Sequence, residues 1–250
     1  MVFTLLLCNF SCKSSVDLPE VSLQMENLRN GRVALYSTYD YNTEKMVDWE
    51  QHGVIRERFE EVEYRIEHVG ISNQELQQCF FKDNPPSLEL YEVYRIETPS
   101  EENKEIDNKK IEKQLVYKGQ KKGKSFYSFN KTISPDKKKR VYVGDQCFEI
   151  ETLPYILCTF PFENKKSLTL RWVKTRIPRQ EETTDSMEGT TTIIVDGEET
   201  IAAKGKDYLA YKVSIPALNC TAWYTKDIPH ILVRAEFPDR ITVISEWNGI

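Results

Sequence analysis

The stretch from Tyr208 to Trp247, "YLAYKVSIPALNCTAWYTKDIPHILVRAEFPDRITVISEW", decides the fold class. Four segments of it alternate apolar and polar residues, as half-buried strands do. The connections "PAL", "DIP" and "PD" between them are too short for anything except antiparallel neighbours. The C-terminal third is therefore predicted to be an up-and-down meander. Its strands are expected at 208–215, 219–226, 230–237 and 240–247.

Further strand signals occur earlier in the chain. The clearest are "GRVALYSTYDY" (31–41), "SLELYEVYRIE" (87–97) and "SLTLRWVKTRI" (167–177). In "TTIIVDGEETIAA", Asp196 and Gly197 stand between two β-branched arms, which is the pattern of a two-residue hairpin. A type I′ turn is predicted there, because Asp-Gly accommodates positive φ at both positions.

Two segments in the first third favour helices instead. In "GVIRERFEEVEYRIEHVG" (53–70), apolar residues recur at steps of four and three, which places them on one face of a helix. Val62, Tyr64 and Ile66 also alternate as in a strand, so both structures stay open and the helix is favoured. "SNQELQQCFF" (72–81) is a second predicted helix, with Ser-Asn available as its cap.

These signals predict a mainly β fold, with an antiparallel curved sheet (half-barrel or sandwich) and one or two helices in the N-terminal third. The 250 residues are 40% hydrophobic, which is too apolar for a disordered chain. No linker rich in Gly, Ser or Pro divides the chain, so a single domain is expected over 31–250. The formal net charge of −5 does not point to nucleic acid.

Positive charge is concentrated in one segment, predicted to be a charged insertion at about 99–140. This segment has 13 Lys and Arg against 6 Asp and Glu. The expected structure is a set of solvated loops or a hairpin tip. The alternative is a platform for an anionic lipid or glycan. Its candidate residues are Lys121, Lys122, Lys124, Lys137, Lys138, Lys139 and Arg140.

The first residues, "MVFTLLLCNFSCKSS", are apolar from Val2 to Leu7 and polar after Cys12. They resemble the end of a bacterial lipoprotein signal, in which a Cys after a small residue becomes the lipidated first residue. The resemblance implies a truncated signal segment over 1–11, lipidation of Cys12 and a tether over 12–30. It also implies a place in the bacterial cell envelope, in the periplasm or at the outer membrane. A buried N-terminal segment is the alternative.

Four further cysteines, Cys79, Cys147, Cys158 and Cys220, permit up to two disulfides in three connectivities, or remain buried free thiols. No C-x-x-C spacing is present, which argues against a zinc or thioredoxin-type site.

No motif predicts catalysis, a cofactor or a metal. "GQKKGKS" (119–125) has one residue too few between its glycines for a phosphate-binding loop, and a glycine turn is predicted instead. His52, His68 and His230 stand far apart in unrelated contexts, so no pair of metal ligands on one face is expected. G-x-S-x-G is absent. The carboxylates of 53–70 are predicted to form a solvated face.

"CTAWYTKDIPHILVRAEF" (220–237) concentrates Trp, Tyr, Asp and His, and is predicted to be a corner between two strands. This corner and "LPYILCTFPFENKKSLTLRW" before it resemble an exported bacterial β-domain family of unknown function, over residues 153–247. The resemblance implies export and a curved antiparallel sheet, and brings no catalytic residues. More loosely, the expected fold is similar to periplasmic lipoprotein carriers, which hold acyl chains in a concave apolar face.

The predicted function is that of a non-enzymatic envelope lipoprotein whose β domain binds an apolar ligand or an envelope partner. Ligand-facing candidates are Trp172, Trp223, Tyr224 and His230, chosen from the alternation of the strands. Two alternatives are a hydrolase assembled from separate loops around His230 or His52, and a basic-surface binder of anionic lipid or glycan.

Overall fold

A computed structural model of the chain describes residues 23–25, 33–59, 62–70, 74–83, 85–97, 112–130, 134–175 and 188–248. The strands are β1 (Val33–Asp40), β2 (Met46–Phe59), β3 (Val62–Gly70), β4 (Glu75–Lys82), β5 (Ser87–Glu97), β6 (Glu112–Lys122), β7 (Ser125–Asn130), β8 (Ser134–Tyr142), β9 (Phe148–Glu149), β10 (Ser167–Val173), β11 (Glu188–Ala203), β12 (Lys206–Ile215), β13 (Cys220–Thr225), β14 (Leu232–Glu236) and β15 (Arg240–Trp247). The α-helix α1 (Leu153–Ile156) lies between the 3₁₀ turns Ile150–Thr152 and Leu157–Thr159.

All described strands belong to one open sheet, in the order β8-β7-β6-β5-β4-β3-β2-β1-β15-β14-β13-β12-β11-β10-β9. Neighbours in sequence lie side by side, except that β8 and β9 stand at opposite ends of the order. β1 pairs with β15 and joins the two halves. The pairs are antiparallel apart from β9 with β10. The mainly β, antiparallel prediction is therefore confirmed, as one sheet.

The sheet curls so that its distant strands approach each other. The N–H of Leu88 on β5 donates to the carbonyl of Cys147, which directly precedes β9, at 2.9 Å. A Cβ added to Gly119 on β6 would lie 2.8 Å from a methyl carbon of Thr175, just after β10. The curled sheet stays open, and its outermost strands β8 and β9 are joined by the short segment 143–147.

The helical segment 150–159 fills the concave side of this curled sheet. Pro154 stands in the first turn of α1, where its missing N–H costs nothing. Leu153, Ile156 and Leu157 are fully buried in the core. The hydroxyl of Tyr224 on β13 donates to the carbonyl of Pro154 at 2.7 Å. The segment is thus fixed to the inner face of the sheet by apolar packing and a buried hydrogen bond.

The two helices predicted in the N-terminal third are wrong. Segment 53–70 contributes to β2 and β3, and segment 72–81 lies mostly in β4. Tyr64 and Ile66 are buried while Arg65 is not, so the period of two prevails over the helical stripe. Between β2 and β3 the register shifts at Arg56/Phe59. An irregularity of this kind breaks strict alternation and makes apolar spacing resemble that of a helix.

The hairpin turn predicted at Asp196-Gly197 is also wrong, because β11 continues through it. Gly197 has φ +148° and occupies a bulge in the pairing with β12. The turn lies at Lys204-Gly205, where both φ angles are positive, +49° and +74°. Both dipeptides suit positive φ, and the long pairing of β11 with β12 selects the later one.

The other strand predictions are confirmed. The C-terminal meander forms β12 to β15 with antiparallel pairing throughout, and the strands predicted at 31–41, 87–97 and 167–177 form β1, β5 and β10. Within the charged segment 99–140, residues 112–122, 125–130 and 134–140 belong to strands of the sheet, and 99–111 lie outside the described residues. "GQKKGKS" is the hairpin between β6 and β7, with Gly123 at φ +56°.

We expect Gly119→Ala to destabilise the domain by about 1–3 kcal/mol, because its Cβ would overlap the buried ring of Phe126 at 2.5 Å. Gly53→Ala is the matched control, since a Cβ there meets nothing within 4 Å. The control should be neutral or stabilising by about 0.4–1 kcal/mol, through the unfolded state. Urea unfolding of both variants measures the difference. Equal stability of the two would contradict the close approach of Phe126.

Candidate ligand site

A cluster of polar side chains lies where β2, β3 and α1 meet. Glu50 and His52 are two residues apart on β2 and so project from the same face of the sheet. His68 on β3 is directly opposite His52 in the antiparallel ladder. Tyr155 reaches them from α1, which fills the concave side. These four residues are called the His–Glu cluster below.

A β-bulge lies beside the cluster. Thr38 pairs with Asp48 and Tyr39 pairs with Met46, which leaves Val47 as the extra residue of β2. Bulges redirect side chains, and here Val47 and Asp48 both line the same cleft.

The carboxylate of Glu50 is the centre of the cluster. Its Oε2 lies 3.5 Å from Nε2 of His52 and 3.4 Å from Nε2 of His68. The hydroxyl of Tyr155 donates to the same oxygen at 3.0 Å. The other oxygen, Oε1, accepts a 3.0 Å hydrogen bond from the hydroxyl of Thr38. Neighbours on three strands and a helix thus fix the orientation of this carboxylate.

Stacked rings hold the imidazoles in place. The ring of His52 stacks on that of Tyr155, at a centroid distance of 3.6 Å, and on that of His68, at 4.3 Å. Tyr36 contacts His52 edge-on at 5.0 Å. The side chain of His52 is buried and that of His68 is 18% exposed, so His68 is the histidine that faces the cleft.

Electrostatics keep Glu50 ionised. Burial by itself raises the pKa of this carboxyl, whose side chain is only 12% exposed. The imidazoles of His52 and His68 beside it outweigh burial and hold the pKa of Glu50 well below its usual range. Burial and the charge of Glu50 raise the pKa of Tyr155, so its hydroxyl remains a proton donor at neutral pH.

Three members of the cluster, Glu50, His68 and Tyr155, line a cleft of about 510 Å³. The lining carries three carboxylates and one guanidinium, so acidic groups predominate. The lining residues are Thr38, Val47, Asp48, Glu50, His68, Gln77, Glu151, Tyr155, Phe237, Arg240 and Thr242.

The expectation that the three histidines stay unrelated is wrong for His52 and His68, which stack in the structure. The sequence did contain a signal for this pairing. Glu50 and His52 are two residues apart, and His52 and His68 are equally distant in sequence from residue 60. The antiparallel pairing of β2 with β3 brings the two imidazoles face to face. The helix interpretation of 53–70 concealed this pairing.

None of the four predicted ligand-facing residues is among those that line the cleft. Tyr224 and His230 are fully buried, with Phe162 packed against both rings. His230 places Nδ1 2.8 Å from the carbonyl of Thr225 and Nε2 3.2 Å from Glu163, as expected of a corner residue. Their part in ligand binding stays a prediction.

The two predicted tryptophans are also in packed positions. Trp223 is 4% exposed, and its ring lies under Lys212 and Arg234, at 5.5 and 5.9 Å. Trp172 is half-buried, and its ring occupies the space beside Gly189, where an added Cβ would approach to 2.6 Å.

The predicted basic patch lies on β6, on β8 and in the turn after β6. Part of its charge is already paired: Lys121 with Glu89 and Lys124 with Asp145, each at 3.3 Å. Its exposed members are Lys122, Lys124, Lys138, Lys139 and Arg140, while Lys137 shares β8 with the last three. Binding of an anionic partner there stays a prediction.

The cysteines of the described residues are free thiols. Cys79, Cys147, Cys158 and Cys220 are all buried. Burial raises the pKa of Cys147 and of Cys220 to about 12, so both remain protonated at neutral pH. Cys12, the predicted lipidation site, lies outside the described residues.

Comparisons with known proteins assign no family. No protein-family model matches the chain, and no curated protein matches it. Among solved structures, the chain is similar to a crystal structure described as a β-barrel-like protein of Domain of Unknown Function DUF1849 from Brucella abortus. The two share 8% identity and a TM-score of 0.47, over 88% of this chain and 98% of the other. Within the described residues, no helix is long and apolar enough to cross a membrane.

We expect Thr38→Val to destabilise the domain by about 1–3 kcal/mol, because it removes a donor from the buried carboxylate of Glu50. It also removes the 3.0 Å bond between Thr38 and Thr242. Thr169→Val is the matched control, since Thr169 and Thr192 form a similar cross-strand pair on an exposed surface. The control should change the free energy of unfolding by less than about 0.5 kcal/mol. If the two variants lose equal stability, Thr38 does not support Glu50.

Proposed function

We propose that this chain is a non-enzymatic binding domain of the bacterial cell envelope, and that its ligand is a small polar molecule or ion carrying positive charge. The observation that carries the proposal is the acidic cleft above the His–Glu cluster. Asp48, Glu50 and Glu151 contribute carboxylates to it, against the single guanidinium of Arg240. Clefts lined by one sign of charge concentrate ligands of the opposite sign.

Arg240 only partly balances the three carboxylates of the cleft. Its side chain is 45% exposed, pairs with Asp239 at 3.3 Å and lies over the ring of Phe237. Its charge is therefore partly neutralised and directed to the rim. Glu50, in contrast, is held ionised at the floor. A cation entering the cleft therefore meets the carboxylate of Glu50.

A polar ligand suits the structure better than the apolar one first predicted. The concave side of the sheet is occupied by the helical segment and by Phe160 and Phe162, which are fully buried. The cleft above the His–Glu cluster has carboxylates, hydroxyls and a guanidinium in its lining. An acyl chain in that cleft would remove carboxylates from water without replacing their hydrogen bonds, which is costly.

Binding is favoured over catalysis by the hydroxyl groups in the cleft. A covalent hydrolase needs a nucleophile beside a base. Among the described residues, the cleft lining includes no Ser, Cys or Lys. The hydroxyls of Thr38 and Thr242 bond to each other, and that of Tyr155 donates to Glu50.

We expect a panel of cations to identify ligands for the cleft. The panel contains divalent metal chlorides and organic cations such as putrescine and choline, the latter measured with a chelator present. Succinate and glycerol serve as anionic and neutral comparisons. Isothermal titration should detect a cation whose affinity falls at least about tenfold in Glu50→Gln and in Glu151→Gln, equivalent to about 1.4 kcal/mol.

Asp145→Asn is the matched control, because Asp145 is an exposed carboxylate that pairs with Lys124 outside the cleft. It should leave the affinity unchanged. Failure of every cation to bind, or binding that Glu50→Gln and Glu151→Gln leave intact, would refute the proposed function.

The envelope location in the proposal is supported by Cys12. An apolar run precedes this residue, and a short polar stretch follows it. Met25 is fully buried in the core, and the N–H of Gln24 donates to the carbonyl of Thr159 at 2.8 Å. Ten residues therefore separate Cys12 from Leu23, the first described residue. Such a length spans at most about 36 Å when extended, enough to hold the domain close to a membrane surface.

We expect labelled palmitate to be incorporated into the full-length product in a bacterial host, and incorporation to be lost in Cys12→Ala. Only a thiol provides the thioether that carries the lipid. Cys8→Ala is the matched control from the same segment and should retain the label. Absence of label in the unaltered protein, or its loss only in Cys8→Ala, would rule out anchoring through Cys12.

A further inference from the structure

We infer that the cation bound at the floor of the cleft is a divalent transition-metal ion of the zinc class, held by Glu50, His52 and His68. This inference rests on the proposed function, since it identifies the cation for which the acidic cleft is suited. Tyr155 and Thr38 would act as positioning residues for the carboxylate ligand.

The donor atoms lie close to a metal-binding geometry. Zinc binds imidazole nitrogen and carboxylate oxygen at about 2.0–2.2 Å, so two ligands of a tetrahedral ion lie about 3.3 Å apart. The distances from Oε2 of Glu50 to the Nε2 atoms of His52 and His68 are 3.5 and 3.4 Å. Ligand atoms of all three residues lie within 4.8 Å of one another. Small side-chain rotations would bring them to one ion.

The backbone fixes these ligands before any ion arrives. His52 and His68 are a directly opposed pair on adjacent antiparallel strands, and Glu50 precedes His52 by one pleat. The sheet therefore presents all three on one face. Because strands are stiffer than loops, such a site loses little conformational entropy on binding.

Positioning residues hold the carboxylate in the manner of an outer coordination shell. Thr38 donates to Oε1 of Glu50, which leaves Oε2 facing the imidazoles. Thr38 is held in turn by Thr242 at 3.0 Å. Groups that orient metal ligands in this way raise affinity by about 10–100-fold.

One ring nitrogen of His68 is incompletely satisfied by its neighbours. Nε2 of His68 is shielded from solvent and makes no hydrogen bond. Its distance to Oε2 of Glu50 is 3.4 Å, which is longer than the roughly 2.7–3.2 Å of an ordinary N–H···O hydrogen bond. A buried polar atom in this state is costly. A metal ion between the nitrogen and the carboxylate would satisfy it.

The ligand types restrict the ion. Two imidazoles and one carboxylate suit zinc and first-row ions such as iron(II), cobalt(II) or nickel(II), whereas magnesium and calcium prefer oxygen alone. Three protein ligands leave a position directed to the cleft, where water or another ligand completes the coordination. His230 and Glu163 also form a pair of possible ligands. Among the described residues no third ligating side chain groups with them, so they do not make a comparable site.

The experiment titrates the chelator-treated full chain with cobalt(II) and zinc(II). One equivalent of cobalt should produce visible absorption of a four- or five-coordinate ion, and zinc should displace it. His52→Gln and His68→Gln should weaken binding at least about 100-fold, more than the loss of an outer-shell group. Asp145→Asn should bind as the unaltered protein does. Near-UV circular dichroism shows whether each variant is folded.

X-ray absorption of the zinc-loaded, unaltered protein provides a test that needs no variant. The expected first shell contains two imidazole nitrogens and carboxylate oxygen. A Zn–S distance of about 2.3 Å would overturn the assignment by placing the ion on cysteine. Failure of the unaltered protein to bind zinc or cobalt, or unchanged binding in both folded histidine variants, would also overturn it. In either case, binding of organic cations that requires Glu50 and Glu151 would leave the proposed function standing, and its absence would end both.

Discussion

The pairing of the first strand with the last is the constraint on which the rest of the structure depends. In the order of the described strands, the ladder between β1 and β15 links eight N-terminal strands to seven C-terminal ones. It joins residues far apart in sequence, such as Thr38 and Thr242, so a long loop must close before the contact forms. The candidate site lies along this ladder: Glu50 is supported by Thr38 from one half, while Thr242 and Arg240 come from the other. The candidate site is therefore complete only when β1 has paired with β15.

The helical segment has a second role beyond filling the concave side of the sheet. Its apolar side chains enter the core, while Tyr155 contacts Glu50 and both imidazoles. A nearly buried carboxylate is tolerated only when several donors surround it. Here two hydroxyl donors come from separate elements, Thr38 on β1 and Tyr155 on α1. Networks of this kind specify one arrangement of the core, because a partly formed network is worse than none.

The sequence predicts the strands and misses the site, for identifiable reasons. The meander at 208–247 was readable because short connections leave a single pairing for each strand. The strands of the first third could not be predicted in this way, because apolar residues at 53–70 fit both a helical stripe and a strand alternation. Gly197 and Gly205 offered two positions for one turn, and only the pairing of β11 with β12 decides between them. The His–Glu cluster depends on the register of β2 and β3, which no local pattern reports.

The open sheet leaves an outer edge whose chemistry has its own consequence. β8 is the last strand on one side in the described order, and Lys138, Lys139 and Arg140 follow one another along it. Unpaired strand edges are templates on which further chains polymerise, and lysine is the residue that most often prevents this. A second copy offering its own β8 would bring like charges together. Charges of one sign along an edge strand therefore disfavour pairing between two such edges, whether or not they also attract a partner.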